Sequence, residues 1–234
     1  PNQRTTTTEL FSGLEATSQN HWPSLEFDVG VVNNYAARFL PAGFYYKTFM
    51  ASQKAWHFFE HHIRKASGLG ESPTEPDPDR YERRFDHCDV LIAGAGLAGL
   101  GAALAAAQSG ARVALADEQN EMGGWLLSSD ASINGVPAAQ WLQDTLATLR
   151  SLPEVRLLPR TTVFGYQDHN LLTLAERCTD HLAPSGAPSH APRERLWKVR
   201  ARQVVLATGA HERPLVFANN DLPGVMLASA VTTY

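Results

Sequence analysis

Residues 88–118, CDVLIAGAGLAGLGAALAAAQSGARVALADE, constrain the possible folds more than any other stretch of the chain. A short apolar run, Val90 to Ala93, leads into Gly94-Ala95-Gly96-Leu97-Ala98-Gly99, and an Ala-rich run continues to Gln108. That order predicts a strand, a tight turn and a helix. Gly94 allows the sharp exit from the strand, Gly96 leaves the backbone bare to an approaching pyrophosphate, and Gly99 lets the helix lie close to the sheet. The helix start adds free N–H groups, those of Leu97 and Ala98 among them, and a partial positive charge. A second strand is expected over Arg112 to Ala116, after Gly110 as a C-cap. It ends on Asp117-Glu118, about 20 residues beyond the glycines, where an acid accepts hydrogen bonds from a ribose 2′-hydroxyl. Either acid suits that role, and Glu118 is favoured. A carboxylate there repels the 2′-phosphate of NADP and suits the free hydroxyl of NAD and FAD alike. The competing reading is a structural turn, because small-residue helices acquire glycines for packing alone. The strand before, the helix after and the acid at the right distance together weigh against it.

Composition excludes several function classes. A length of 234 residues allows a sizeable core, and 44% hydrophobic with 19% charged residues is the balance of a soluble globular protein. The formal charge of −4, without a local Lys/Arg cluster, offers no footprint for nucleic acid. Cys88 and Cys178 have neither metal nor redox spacing and read as reduced thiols of a cytoplasmic protein. Val90 to Gln108 is uncharged and approaches membrane-spanning length, but its glycines and scarce large apolar residues fit a buried strand and helix better. PNQRTTTTEL at the start lacks a basic and apolar signal pattern.

The regions on either side of the glycine turn differ in kind. Residues 1–84 read as an N-terminal arm, a helix and a linker. Short apolar pieces in the arm are punctuated by Pro23, Gly30, Asn33-Asn34 and Pro41-Ala42-Gly43. The aromatic stretch Phe39 to Phe49 is suited either to cover the core or to contact a partner chain. ASQKAWHFFEHHIRKA, residues 51–66, patterns as an amphipathic helix with Trp56, Phe59 and Ile63 on one side. His57 and His61 stand four apart as a metal half-site would, but without a further ligand nearby they read as a solvated face. Gly68, Gly70, Pro73, Pro76 and Pro78 make a linker up to Tyr81.

Residues 85–234 read as a nucleotide-binding α/β domain. Gly123-Gly124 lets backbone approach a cofactor or the adjoining sheet. A helix is expected over Ala138 to Arg150 and a third parallel strand over Val155 to Leu158. Thr161 to Tyr166, Leu171 to Glu176 and Leu196 to Arg200 predict a small antiparallel meander, interrupted by the loop from His181 to Arg193. Arg202 to Leu206 is a further strand, and Ala207-Thr208-Gly209 at its end would meet a nucleotide at the edge of the sheet. The fold class is therefore α/β, a Rossmann-like parallel sheet with a small antiparallel β-meander. The proposed cofactor cradle comprises Gly94, Gly96, Leu97, Ala98, Gly99, Asp117, Glu118, Gly123, Gly124, Thr208 and Gly209. No catalytic acid, base or nucleophile and no metal set is read from the sequence.

With its GAGLAG turn, Asp117-Glu118, Gly123-Gly124, meander and Ala207-Thr208-Gly209, the chain resembles the two-dinucleotide-binding flavoproteins, the group of glutathione reductase. WPSLEFDVG (22–30), LPAGFYYKTFM (40–50), the helix with Trp56, HCDVLIAGAG (87–96) and LATGAHERPLVFANNDLPGVMLASAV (206–231) resemble the family of alpha subunits of heterotetrameric sarcosine oxidases. Alpha subunits of opine, proline and cyanide-forming amine dehydrogenases are the nearest rivals. The resemblance implies NAD at this site, with FAD as the alternative, in a complex with beta, gamma and delta subunits. FAD and the amine substrate would lie on the beta subunit, and FMN between alpha and beta. It further implies oxidation of sarcosine to glycine, yielding hydrogen peroxide and either formaldehyde or methylene-tetrahydrofolate. A nucleotide-binding scaffold without a redox step is the contrasting expectation. Against the family pattern, the chain is expected to be a fragment, starting near the end of one domain and stopping before an inserted second nucleotide-binding domain.

Overall fold

A computed structural model of the chain describes residues 8–16, 21–39, 43, 52–68, 74–182, 186–188, 190–220 and 222–233. They divide into two units, Pro1–Pro78 and Asp79–Tyr234.

In the first unit, α1 is the short helix Val32–Ala36 and α2 spans Gln53–Ala66. Ser52 caps α2, its hydroxyl accepting from the Ala55 N–H at 3.2 Å, and Arg64 and Lys65 in the last turn complement the helix dipole. Trp56, Phe59 and Ile63 form the shielded side of α2, while His57 and His61 are exposed. His57 Nδ1 lies 3.7 Å from Glu60 Oε2. Among the described residues no three His, Cys, Asp or Glu side chains are grouped to hold a metal. Of the aromatic stretch from residue 39 to 49, only Phe39, which is exposed, and Gly43 fall within the described residues.

The second unit is organised by two thirteen-residue strands, β1 (Tyr81–Ala93) and β8 (Glu194–Leu206). Between them come α3 (Leu97–Gln108), β2 (Val113–Ala116), the two-residue strands β3 (Ser132–Ile133) and β4 (Val136–Pro137), and α4 (Ala138–Ser151). Then follow β5 (Val155–Leu158), β6 (Thr161–Gln167) and β7 (Leu171–Arg177), and after β8 the short helix α5 (Ala228–Thr233). One six-stranded sheet has the order β5-β2-β1-β8-β7-β6. The β5, β2, β1 and β8 neighbours are parallel, and β8, β7 and β6 are antiparallel.

The expected meander is present, but it continues the parallel sheet instead of standing beside it. Leu196 to Arg200 and Arg202 to Leu206 are halves of the single strand β8, paired with β1 from Tyr81↔Glu194 to Ala93↔Leu206. Tyr81 to Arg84, which the sequence groups with the linker, begin β1 within the second unit, and this first half of the strand, YERRFDH, is charged. Its charges are satisfied across the sheet instead, with Arg195 donating to Glu82 at 2.5 Å and to Glu176 at 2.8 Å.

Two cores lie on opposite faces of the parallel strands. On one, Ile92 and Leu115 pack with Leu100, Ala103, Leu126, Leu142, Leu146 and Leu149. On the other, Cys88, Leu91, Ala114, Ala116 and Leu158 meet Leu172, Leu174, Trp197 and Val199 of the meander. The alternation along β2 divides Val113 and Leu115 from Ala114 and Ala116, the mark of a strand buried on both faces. Among the described residues no helix or strand lies between β8 and α5, whose Ala228 and Ser229 N–H groups donate to the Glu212 carboxylate at 3.2 and 2.9 Å. Among the described residues no helix is long and apolar enough to cross a membrane.

Candidate dinucleotide site

The turn from β1 into α3 is bolted from three sides. Gly94 N–H donates to Ala116 O of β2 at 2.8 Å, and Ala207 N–H at the end of β8 donates to Ala93 O at 2.8 Å. From the acid end, Asp117 Oδ2 accepts the Ala95 N–H at 2.6 Å, while Oδ1 accepts the Gln119 N–H at 2.9 Å.

The three glycines of the motif do different work. Gly94 has φ +101°, and a Cβ there would sit 2.3 Å from Ala207 O and 3.2 Å from Thr208 Cα. A Cβ on Gly99 would sit 1.8 Å from Gly94 O, so α3 is seated on the turn itself. Gly96, the N-cap of α3, has nothing within 4 Å of its missing Cβ. The open space lies where a helix start presents N–H groups that have no intrahelical partner. The first intrahelical bond runs from Leu100 N–H to Gly96 O, leaving the amides of Gly96, Leu97, Ala98 and Gly99 without a partner among the described residues. The Ala95 amide, by contrast, is withdrawn toward Asp117. A bare backbone edge, unpaired amides and a helix dipole fit a pyrophosphate.

The other residues expected at the cradle fall into two groups. Gly124 (φ +56°) comes near it, since its missing Cβ would lie 3.2 Å from Gly96 Cα. Thr208 borders Gly94 through its backbone, and Gly209 follows in exposed coil with φ +70°. Gly123 instead faces protein: its missing Cβ would meet Leu142 Cδ2 at 2.7 Å and Leu127 Cγ at 3.0 Å. Asp117 spends both carboxylate oxygens on backbone amides, those of Ala95 and Gln119. Glu118 is half-buried, and its carbonyl accepts from Arg177 Nη2 at 2.5 Å. Sequence reasoning missed Arg177 because it stands 59 residues away, and no local pattern marks that contact.

Comparison with known proteins follows the same outline. Residues 88–233 match the family described as pyridine nucleotide-disulphide oxidoreductase. The chain is 52% identical over 235 residues to the sarcosine oxidase alpha subunit of Rhizobium meliloti (strain 1021), an alignment covering 100% of this chain and 24% of that protein. It is 51% identical over 170 residues to the sarcosine oxidase alpha subunit of Corynebacterium sp. (strain U-96), covering 72% of this chain and 17% of that one. An opine oxidase subunit of Agrobacterium tumefaciens (strain Ach5) is 33% identical over 150 residues, covering 62% and 28%. The chain thus spans about a quarter or less of the length of these sarcosine oxidase subunits.

Proposed function

Because this chain belongs to the pyridine nucleotide-disulphide oxidoreductase family, we propose that it is the dinucleotide-holding part of an oxidoreductase alpha subunit, with NAD as its ligand. The observation that carries this reading is the open backbone edge at Gly96 beneath the free amides of α3. Gly96, Leu97, Ala98 and Gly99 would hold the pyrophosphate, with Gly124 and the Thr208-Gly209 backbone beside it and Gly94 shaping the turn. Glu118 would accept from the adenosine ribose, while Asp117 keeps the turn in shape. When bound, the dinucleotide supplies hydride chemistry, and the protein supplies position and electrostatics.

The similarity to sarcosine oxidase alpha subunits, over 100% of the chain in one case and 72% in another, favours a complex that oxidises sarcosine to glycine, reduces oxygen to hydrogen peroxide and releases formaldehyde or methylene-tetrahydrofolate. The beta, gamma and delta subunits would complete it, with FAD and FMN elsewhere in the assembly and the amine on a partner. A cytoplasmic assembly suits the two free cysteines, Cys88 and Cys178. The likeness to the opine oxidase subunit favours a second reading, FAD at the same cradle in an amine or opine dehydrogenase. A scaffold that binds nucleotide without a redox step is the third.

Extraction and identification of the nucleotide from the purified complex tests these readings. NAD supports the first and FAD the second, whereas an empty cradle contradicts both. Glu118→Ala should weaken dinucleotide binding by roughly 1–3 kcal/mol, the range for a hydrogen bond to a charged group. Unchanged affinity removes Glu118 from the site. Addition of sarcosine to the assembled complex should change the oxidation state of the bound cofactor, and an inert cofactor favours the scaffold.

A further inference from the structure

The acid loop after β2 is fastened to the meander by a set of contacts spread over distant residues. Asp117 O accepts from Thr161 N–H at 2.7 Å, and Gln119 O accepts from Arg160 N–H at 2.8 Å. Between them, Glu118 O accepts from Arg177 Nη2 at 2.5 Å, while the Arg177 N–H donates to Arg160 O at 3.0 Å. Three consecutive carbonyls are therefore held by the β6–β7 edge, and the middle one is held by a side chain. That contact is charge-assisted and partly buried, so it is stronger than its two backbone neighbours and less screened than a surface pair.

We propose that Arg177 is a positioning residue for dinucleotide selectivity: by gripping the Glu118 carbonyl it fixes where that carboxylate meets the adenosine ribose. The inference rests on Glu118 being the ribose acid. With its backbone held, the Glu118 carboxylate is tethered from one fixed point, which lowers the ordering cost of meeting a 2′-hydroxyl and narrows how far it can move from a 2′-phosphate. Releasing the loop should therefore weaken binding of the 2′-hydroxyl form and relieve the repulsion against the 2′-phosphate form. Selectivity should fall even though Arg177 makes its contact only with backbone.

The test is titration calorimetry with NAD and with NADP on the full chain, for wild type, R177A, R177K, E118A and R177A/E118A. The ratio of NAD to NADP affinity should fall about tenfold in R177A, the size of one charge-assisted hydrogen bond. R177K, which keeps a donor but loses the planar fork, should fall between R177A and wild type. In the E118A background, adding R177A should change the ratio by less than about twofold, because it acts through that carboxylate. A merely structural role would lower the melting temperature and both affinities together and leave the ratio alone, and that result overturns the proposal. So does an R177A effect of equal size with and without Glu118. If R177A does not fold, R177K decides, and a wild-type ratio in R177K is the overturning result. A wild-type chain that binds neither nucleotide overturns this inference and the NAD reading together, whereas wild-type selectivity that survives R177A overturns only this one.

Discussion

The two faces of the parallel strands are built on different principles. The helix-covered face is mainly aliphatic, with Leu100, Leu126, Leu142, Leu146 and Leu149 filling the space above Ile92 and Leu115. The meander-covered face is apolar near the sheet but carries a polar layer at its rim. There Trp197 Nε1 donates to Glu176 at 2.7 Å, and Arg84, Arg156 and Arg195 lie 5.4–5.7 Å from the indole ring. Arg156 is also paired with Asp86. The helix face sets the glycine turn by close approach of backbones. The meander face sets the acid loop by hydrogen bonds from charged side chains and edge amides. The glycine turn and the acid loop thus depend on two kinds of force, steric and electrostatic, that mutation can separate.

The largest effect is expected from Gly99→Val. A Cβ placed 1.8 Å from a backbone oxygen has no side chain to push aside, so the loss should exceed about 3 kcal/mol and show as a collapsed melting transition. Gly96→Ala should cost only about 1 kcal/mol, as an alanine N-cap does, yet impair dinucleotide binding. Equal stability losses at the two positions would break the distinction between a packing glycine and a ligand-facing one.

Next in size, Leu149→Ala and Leu172→Ala each remove a fully buried side chain from one of the two cores and should cost about 3 kcal/mol apiece in chemical denaturation. Both should unfold the second unit in one transition. A separate transition in Leu172→Ala would show that the meander folds independently of the parallel half. Asp117→Ala should cost about 2 kcal/mol, since it frees two backbone amides, and should loosen the glycine turn as read by amide exchange at Ala95. Trp197→Phe should cost only about 1 kcal/mol, because Glu176 keeps Arg195 as a partner.

The smallest effect is a pH dependence. Burial pushes the Cys88 thiol up from its ordinary 9.0 to about 11. A raised thiol pKa means the folded chain keeps a proton that the unfolded chain loses, so this contribution is complete below pH 9 and fades as pH rises toward 11. Alkylation of Cys88 at pH 8 should be far slower than that of an unfolded thiol, and equal rates would show that the meander face opens readily.

The βαβ unit was legible because its signals are local. Gly94, Gly96 and Gly99 stand within six residues of one another between an apolar strand and an Ala-rich helix, and the apolar periodicity of α4 survives without context. The charged half of β1 was not legible, because Glu82 and Arg195 satisfy each other across 113 residues. The same holds at the site. The sequence alone determined the glycine turn that opens α3 and the acid pair that follows β2, since the steric freedom of glycine and the start of a helix are written in adjacent residues. Only the tertiary structure decided that the Asp117 carboxylate is taken up by backbone amides of the turn, that Gly124 lies beside Gly96 while Gly123 packs on Leu142 and Leu127, and that Arg177 reaches Glu118. Those outcomes depend on hydrogen bonds and contacts between strands brought together by the sheet, and separation along the chain carries no record of them.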